Sequence, residues 1–276
     1  MQALEPHGHL YNPNEKAVDR YCLWHEIQER LVLPHNYRVF VSQELKGNRK
    51  YSQLKAVLQE VKTAFRSGGS LSPYLSSRVS NFGKKGRDYM LQHWHIRHLH
   101  ISPVSSIDGK GLVQRADDLL FFKVEGDCVY FLDILSHAEP NLFEQKRLLD
   151  VVEKNWPKLH GHVWVRGRSS EKTLNPEEVR RLRRRNVNMF ESIGERIIAP
   201  GMGVSAGGTS LDAVRTYDRH QEELGHLEAR IKTRFWECFP QCMSQGLAHV
   251  RLTGLWESGF DTHEMFSGAQ VQFKTC

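Results

Sequence analysis

The chain has 276 residues, 39% hydrophobic and 25% charged, a balance that allows a packed core and excludes wholesale disorder. Its net charge of +6 favours polyanionic partners, with nucleic acid the commonest of these. No apolar run approaches the roughly 18–20 residues that cross a bilayer. The opening residues lack a secretory signal, and the five cysteines are odd in number and scattered, so the expected setting is the cytoplasm, away from the membrane.

In chain order, Ala17, Tyr21, Trp24, Ile27 and Leu31 recur at steps of three and four and predict a helix over 14–33. The stretch YRVFVS at 37–42 reads as a short strand. Leu54, Val57, Leu58, Val61 and Phe65 predict a second helix over 52–66, N-capped by Ser52, and SGGSLSP at 67–73 breaks it. Residues 89–102, YMLQHWHIRHLHIS, read as a strand, and so do 117–124 and 128–137, which the glycine-centred EGD joins as a hairpin. Asn141 and Glu144 resemble a capping box that opens a helix to Trp156, and 161–167 suggests a closing strand.

The small polar stretch 167–173 marks a domain boundary, dividing 1–168 from 169–276. Beyond it, Asn175 and Pro176 start a helix, with Glu177 and Glu178 complementing its dipole. Two short strands flank Gly194, a glycine-rich turn follows, and a long helix spans 210–237 before a strand over 248–256. The expected fold is therefore α+β: helices packed on an antiparallel sheet, followed by a smaller α+β domain with a long helix. The long helix offers a surface for a protein partner or a second copy of the chain.

Four histidines, His93, His95, His98 and His100, fall within eight residues around Arg97. In a flat strand, alternation puts His93, His95 and Arg97 on one face and His98 and His100 on the other. The apolar residues change phase as well, from Trp94 and Ile96 to Leu99 and Ile101. A β-bulge at Arg97–His98 reconciles both patterns: all four apolar residues face the core and all four histidines form one outward row. Imidazoles near neutral pH act as general acid and base, and Arg97 among them would hold a phosphate. No Asp, Glu or Cys lies inside the stretch, so the sequence calls for neither a metal nor a cofactor. The plainer alternative is a strand whose wet face happens to be rich in histidine.

Asp133 and His137 share a face of the strand 128–137. The aspartate needs a cationic partner to offset its burial, and His137 sits at the strand end, where chemistry is accessible. Arg166, Arg168, Arg180, Arg181 and Arg184 are candidates for contact with a phosphate backbone, against the alternative of a solvated helix face. Gly201-x-Gly203-x-x-Ala206 fits the spacing of a dinucleotide fingerprint, but no parallel βαβ unit surrounds it, and a glycine-rich hairpin is the better reading. His100-x-Ser102 resembles half of the paired signature of two-histidine phosphoesterases. Arg251 stands where the second half needs Ser or Thr.

Taken in order, residues 50–137 hold a helix with a basic surface, a strand carrying His and Arg, two strands of large apolar residues, and a terminal histidine. This order resembles the RelE-like toxins and, more broadly, the barnase–EndoU–RelE group of metal-independent ribonucleases. The resemblance implies a curved antiparallel sheet facing RNA, with attack by the 2′-hydroxyl on the scissile phosphate. Carried over by position, it makes His95, Arg97, His98, His100 and His137 the reacting groups. The leading expectation is a metal-independent endoribonuclease or toxin-like phosphodiesterase acting on RNA. The alternative is a non-catalytic nucleic-acid-binding or protein-interaction module of a bacterial defence or regulatory system.

Overall fold

The computed structural model describes residues 16–76, 88–102, 107–109, 111–113, 117–160, 164–165, 174–193, 196–201, 203–239, 250–256, 259–265 and 269–274. The protein is α+β and groups into two units, Met1–Val214 and Arg215–Cys276. The boundary expected at 167–173 lies outside the described residues.

The first unit opens with helix α1 (Ala17–Arg30), which buries Cys22 and Ile27. Strand β1 (Arg38–Val41) follows. Ser42 then caps the short helix α2 (Gln43–Gly47) by accepting from the Leu45 amide, and its hydroxyl donates to the Leu132 carbonyl. Asn48 caps α3 (Arg49–Gln53) in the same way. Helix α4 (Lys55–Ser67) buries Val57, Leu58, Val61 and Phe65, the stripe read from the sequence, and ends at Gly68 in the left-handed region. The helix expected from 52 is interrupted at Leu54, and Ser52 lies inside α3 rather than capping α4.

The segment expected as a strand from 89 begins instead as a helix, α5 (Tyr89–Trp94), capped by Asp88, whose side chain accepts from the Leu91 amide. Its short length is compensated at the C-terminus, where the last carbonyls of a helix lack partners of their own. The Gln92 and His93 carbonyls accept from the Gly203 and Gly201 amides, and the Trp94 carbonyl accepts from the buried Lys123 ammonium at 2.7 Å. The glycine-rich turn thus donates its amides to a helix end, in a region whose sheet is antiparallel. A side chain at Gly203, whose φ is +72°, would collide with Asn188.

His95, at φ +50°, turns the chain into β2 (Ile96–His100). Strands β3 (Asp118–Glu125) and β4 (Cys128–Ser136) form the expected hairpin around Gly126. The helix expected from 141 begins later, as α6 (Arg147–Asn155). Asn141 sits at positive φ and spends its side-chain oxygen on Arg180, so no capping box forms there. Strand β5 (Trp164–Val165) precedes α7 (Pro176–Arg184), where the Asn175–Glu178 capping box is complete. Strands β6 (Glu191–Ile193) and β7 (Arg196–Ile198) follow, and α8 (Leu211–Thr233) runs from the first unit into the second.

The main sheet has the order β1-β4-β3-β2 and is antiparallel except for the parallel pair β1–β4. It is covered on both faces. Leu99, Ile101, Leu120, Phe122, Val129 and Phe131 pack with α2 and α4, while Ile96, Leu119, Phe121, Leu132 and Leu135 pack with α5 and α6. The second unit comprises the remainder of α8, α9 (Phe235–Cys238) and the antiparallel β8 (Val250–Trp256), β9 (Gly259–Glu264) and β10 (Gln270–Lys274) around Leu227, Phe239, Phe260 and Phe273. Of these strands, only β8 is expected from the sequence. In β9 the buried positions alternate as Phe260, Thr262 and Glu264, so no apolar period marks the strand.

Candidate functional site

The structure does not assemble the four histidines into one row. His93 lies inside α5, 1% exposed, with Nδ1 3.0 Å from the Tyr89 carbonyl. Burial pushes its pKa down to about 4, with the Arg183 charge adding to the effect. His95 occupies the bend after α5, where its ring lies against Gly201: a Cβ added there would come within 2.8 Å of Nε2. From Ile96 to His100 the register against Lys123 to Leu119 is unbroken, so β2 carries no bulge at Arg97–His98. The irregularity falls one strand further on. Phe121 and Phe122 face Asp133 and Phe131, leaving Leu132 as the extra residue.

The phase change has a different cause from the expected bulge. Because both faces of the sheet are buried, Trp94 and Ile96 pack into the core on the α6 side while Leu99 and Ile101 pack on the α4 side. Simple alternation then separates the polar residues too. His98 and His100 lie on the Ile96 face, and Arg97 lies on the other.

On the Ile96 face, three of the expected residues do meet. The rings of His98 and His100 are 5.8 Å apart, and those of His100 and His137 are 6.2 Å apart and nearly parallel, at 26°. Phe143 stands beside the group, 5.7 Å from His98 and 6.3 Å from His137. His98 is the inner member. Its Nδ1 lies 3.6 Å from an Asp88 carboxylate oxygen, and that atom is buried with no hydrogen-bond partner among the described residues. Desolvation holds its pKa below the ordinary histidine value, the Asp88 charge opposing and His137 reinforcing that shift. His137 is exposed, so the row opens to solvent at that end.

Asp133 is fully buried and serves a structural purpose. It accepts from Asn48 and from Arg147 of α6, each at 2.7 Å, so its cationic partner comes from a helix and not from the neighbouring strand.

The arginines of α7 divide into two sets. Arg180 donates to Glu144 at 3.0 Å and to Asn141 at 2.7 Å, and the buried Arg183 donates to the Phe143 carbonyl. These two hold the 141–144 turn that carries Phe143 to the histidines. Arg181, Arg184 and Arg185 are exposed, and with Glu177 and Arg180 they line a depression of about 360 Å³. Arg166 and Arg168 lie outside the described residues.

Arg97 is enclosed on the opposite face, where its Nε donates to the Glu29 carbonyl at 2.8 Å. Beside it, Glu29 joins His25 and Asp212 in a group whose polar atoms lie within 4.8 Å of one another. Burial raises the Glu29 pKa to about 7; the Asp212 charge adds to this and the Arg97 charge opposes it. The sequence reading missed this group. His25 and Glu29 are four residues apart and so share a helix face, but Asp212 lies far along the chain, and no spacing rule connects it to them.

No family model matches the chain, and no curated protein or solved structure shows significant similarity to it.

Proposed function

We propose that the first unit is a metal-independent endoribonuclease or toxin-like phosphodiesterase acting on RNA, with His98, His100 and His137 as its acid–base group. The observation that carries this reading is the convergence of three imidazoles, two from β2 and one from just beyond the end of β4, stepped from half-buried His98 and His100 to exposed His137. Two imidazoles about 6 Å apart between ring centres suit opposite ends of one phosphodiester. One accepts the proton of the attacking 2′-hydroxyl, and the other, protonated, donates to the departing 5′-oxygen. His100 and His137 take these two positions. His98, kept neutral by burial, backs His100 without adding a charge. The imidazolium itself then supplies the positive charge that the phosphorane needs. Arg97 and His95 take no part, since neither lies with the row. Arg181, Arg184 and Arg185 supply the exposed basic surface that attracts the RNA backbone.

The test is cleavage of single-stranded RNA with and without EDTA, with the products examined for 2′,3′-cyclic phosphate ends. Replacing His100 or His137 with alanine should lower the rate by about 10²–10⁴-fold, the usual contribution of a general acid or base. An undiminished rate in both variants would remove the histidine row from the chemistry. Salt-sensitive RNA binding with no cleavage by the unmodified protein would favour the binding-module alternative, for which the exposed α7 arginines are the specific support.

A further inference from the structure

We propose that His25, Glu29 and Asp212 form a binding site for one divalent transition-metal ion, joining the C-terminal half of α1 to the first turn of α8. The site stands apart from the histidine row and is independent of the ribonuclease reading.

The geometry comes from both helices. His25 and Glu29, at i and i+4, project from one face of α1. Asp212 sits in the first turn of α8, where the helix dipole favours an anion. One donor atom from each residue lies within 4.8 Å of the other two. Small side-chain rotations would let a single ion with bonds of roughly 2.0–2.2 Å reach all three. The approach of α8 to α1 is itself held by a separate contact: Glu26, one turn from Glu29, accepts from the Ser210 amide at 3.0 Å. Asp212 is thereby set in place before any ion binds.

The charges point the same way. Glu29 has two further carboxyl groups as neighbours, Asp212 and Glu26, against the one guanidinium of Arg97. Arg97 spends its Nε on the Glu29 backbone carbonyl. The two carboxyls of Glu29 and Asp212 lie in hydrogen-bond contact with each other, an arrangement that needs a proton or a cation between them. One imidazole with two carboxylates suits Zn²⁺, Mn²⁺ or Fe²⁺. Mg²⁺ is a poor match, because it demands near-octahedral oxygen ligands and gives up its waters reluctantly.

The test is calorimetric titration of the whole chain with Zn²⁺, Mn²⁺ and Mg²⁺, paired with histidine-ring NMR. The expected result is one equivalent of Zn²⁺ bound, more tightly than Mn²⁺, with little heat from Mg²⁺. The His25 ring signals should move with that equivalent. In Glu29→Gln and Asp212→Asn, zinc affinity should fall by at least about tenfold. No zinc binding, or a first equivalent that moves the rings of His98, His100 or His137 and leaves His25 unchanged, would overturn the site. So would equal affinity in both folded variants. The NMR arm uses the unmodified protein, so it decides the question even if a variant does not fold.

Discussion

The two faces of β2 put adjacent residues to opposite uses. Arg97 points under α1 into an enclosed charged group, where its hydrogen bond goes to a backbone carbonyl. His98 and His100, its neighbours on the other face, join His137 in a row that reaches solvent. The residues that look most alike as candidates for phosphate chemistry are separated by the full thickness of the sheet. A strand delivers consecutive side chains to different surroundings, so adjacency in sequence is weak evidence for a shared site. One face should govern stability and the other activity.

The largest expected effect is on the Arg97 face. Arg97→Met removes the charged donor to the Glu29 carbonyl and the guanidinium beside the Glu29 carboxyl, a loss of about 3 kcal/mol. Urea unfolding should show that loss, while RNA cleavage per folded molecule stays at the level of the unmodified protein. Unchanged stability together with a collapsed cleavage rate would reverse the assignment of the two faces.

A second test uses acid. The folded pKa of His93, about 4, lies below its ordinary value of 6.5. Between these values the unfolded chain binds a proton that the folded chain refuses. The contribution of His93 to stability is therefore complete above pH 6.5 and is lost as pH falls toward 4, by on the order of 3 kcal/mol. Glu29 acts in the opposite sense, because its raised pKa favours the folded state as pH falls through about 7 toward 4.5. The difference between the unmodified protein and His93→Gln across this range isolates the histidine. If both lose stability in parallel between pH 6.5 and 4, the burial of His93 does not have the assigned effect.

The smallest expected effect is at the open end of the row. His137 is exposed, and His137→Ala should change unfolding free energy by no more than about 0.5 kcal/mol. A loss comparable to that of Arg97→Met would make His137 structural and would erase the contrast between the faces.

Much of the framework is legible in the residues. The stripe Val57, Leu58, Val61 and Phe65, the hairpin at Gly126 and the Asn175 cap all depend on local periodicity or local hydrogen bonding, and all stand where the sequence places them. Helix α5 is different. Its six residues contain no helical apolar period long enough to be read, and its end is completed by Gly201, Gly203 and Lys123 from elsewhere in the unit. The arginine run of α7 likewise looks uniform in sequence. Only the position of the 141–144 turn separates Arg180 and Arg183, which hold it, from the arginines left in solvent.

By itself the sequence determined the α+β class, the order of most elements in the first unit and the shared parity of Asp133 and His137, because each follows from spacing along a single strand or helix. The tertiary structure alone decided which histidines meet, that Arg97 is shut away from them, and that Asp212 joins His25 and Glu29. The phase change in HWHIRHLHIS has two physical solutions, a bulge or a sheet buried on both faces, and the sequence does not distinguish them. The choice depends on α6 packing against the second face, a contact between residues far apart in the chain that no local pattern encodes.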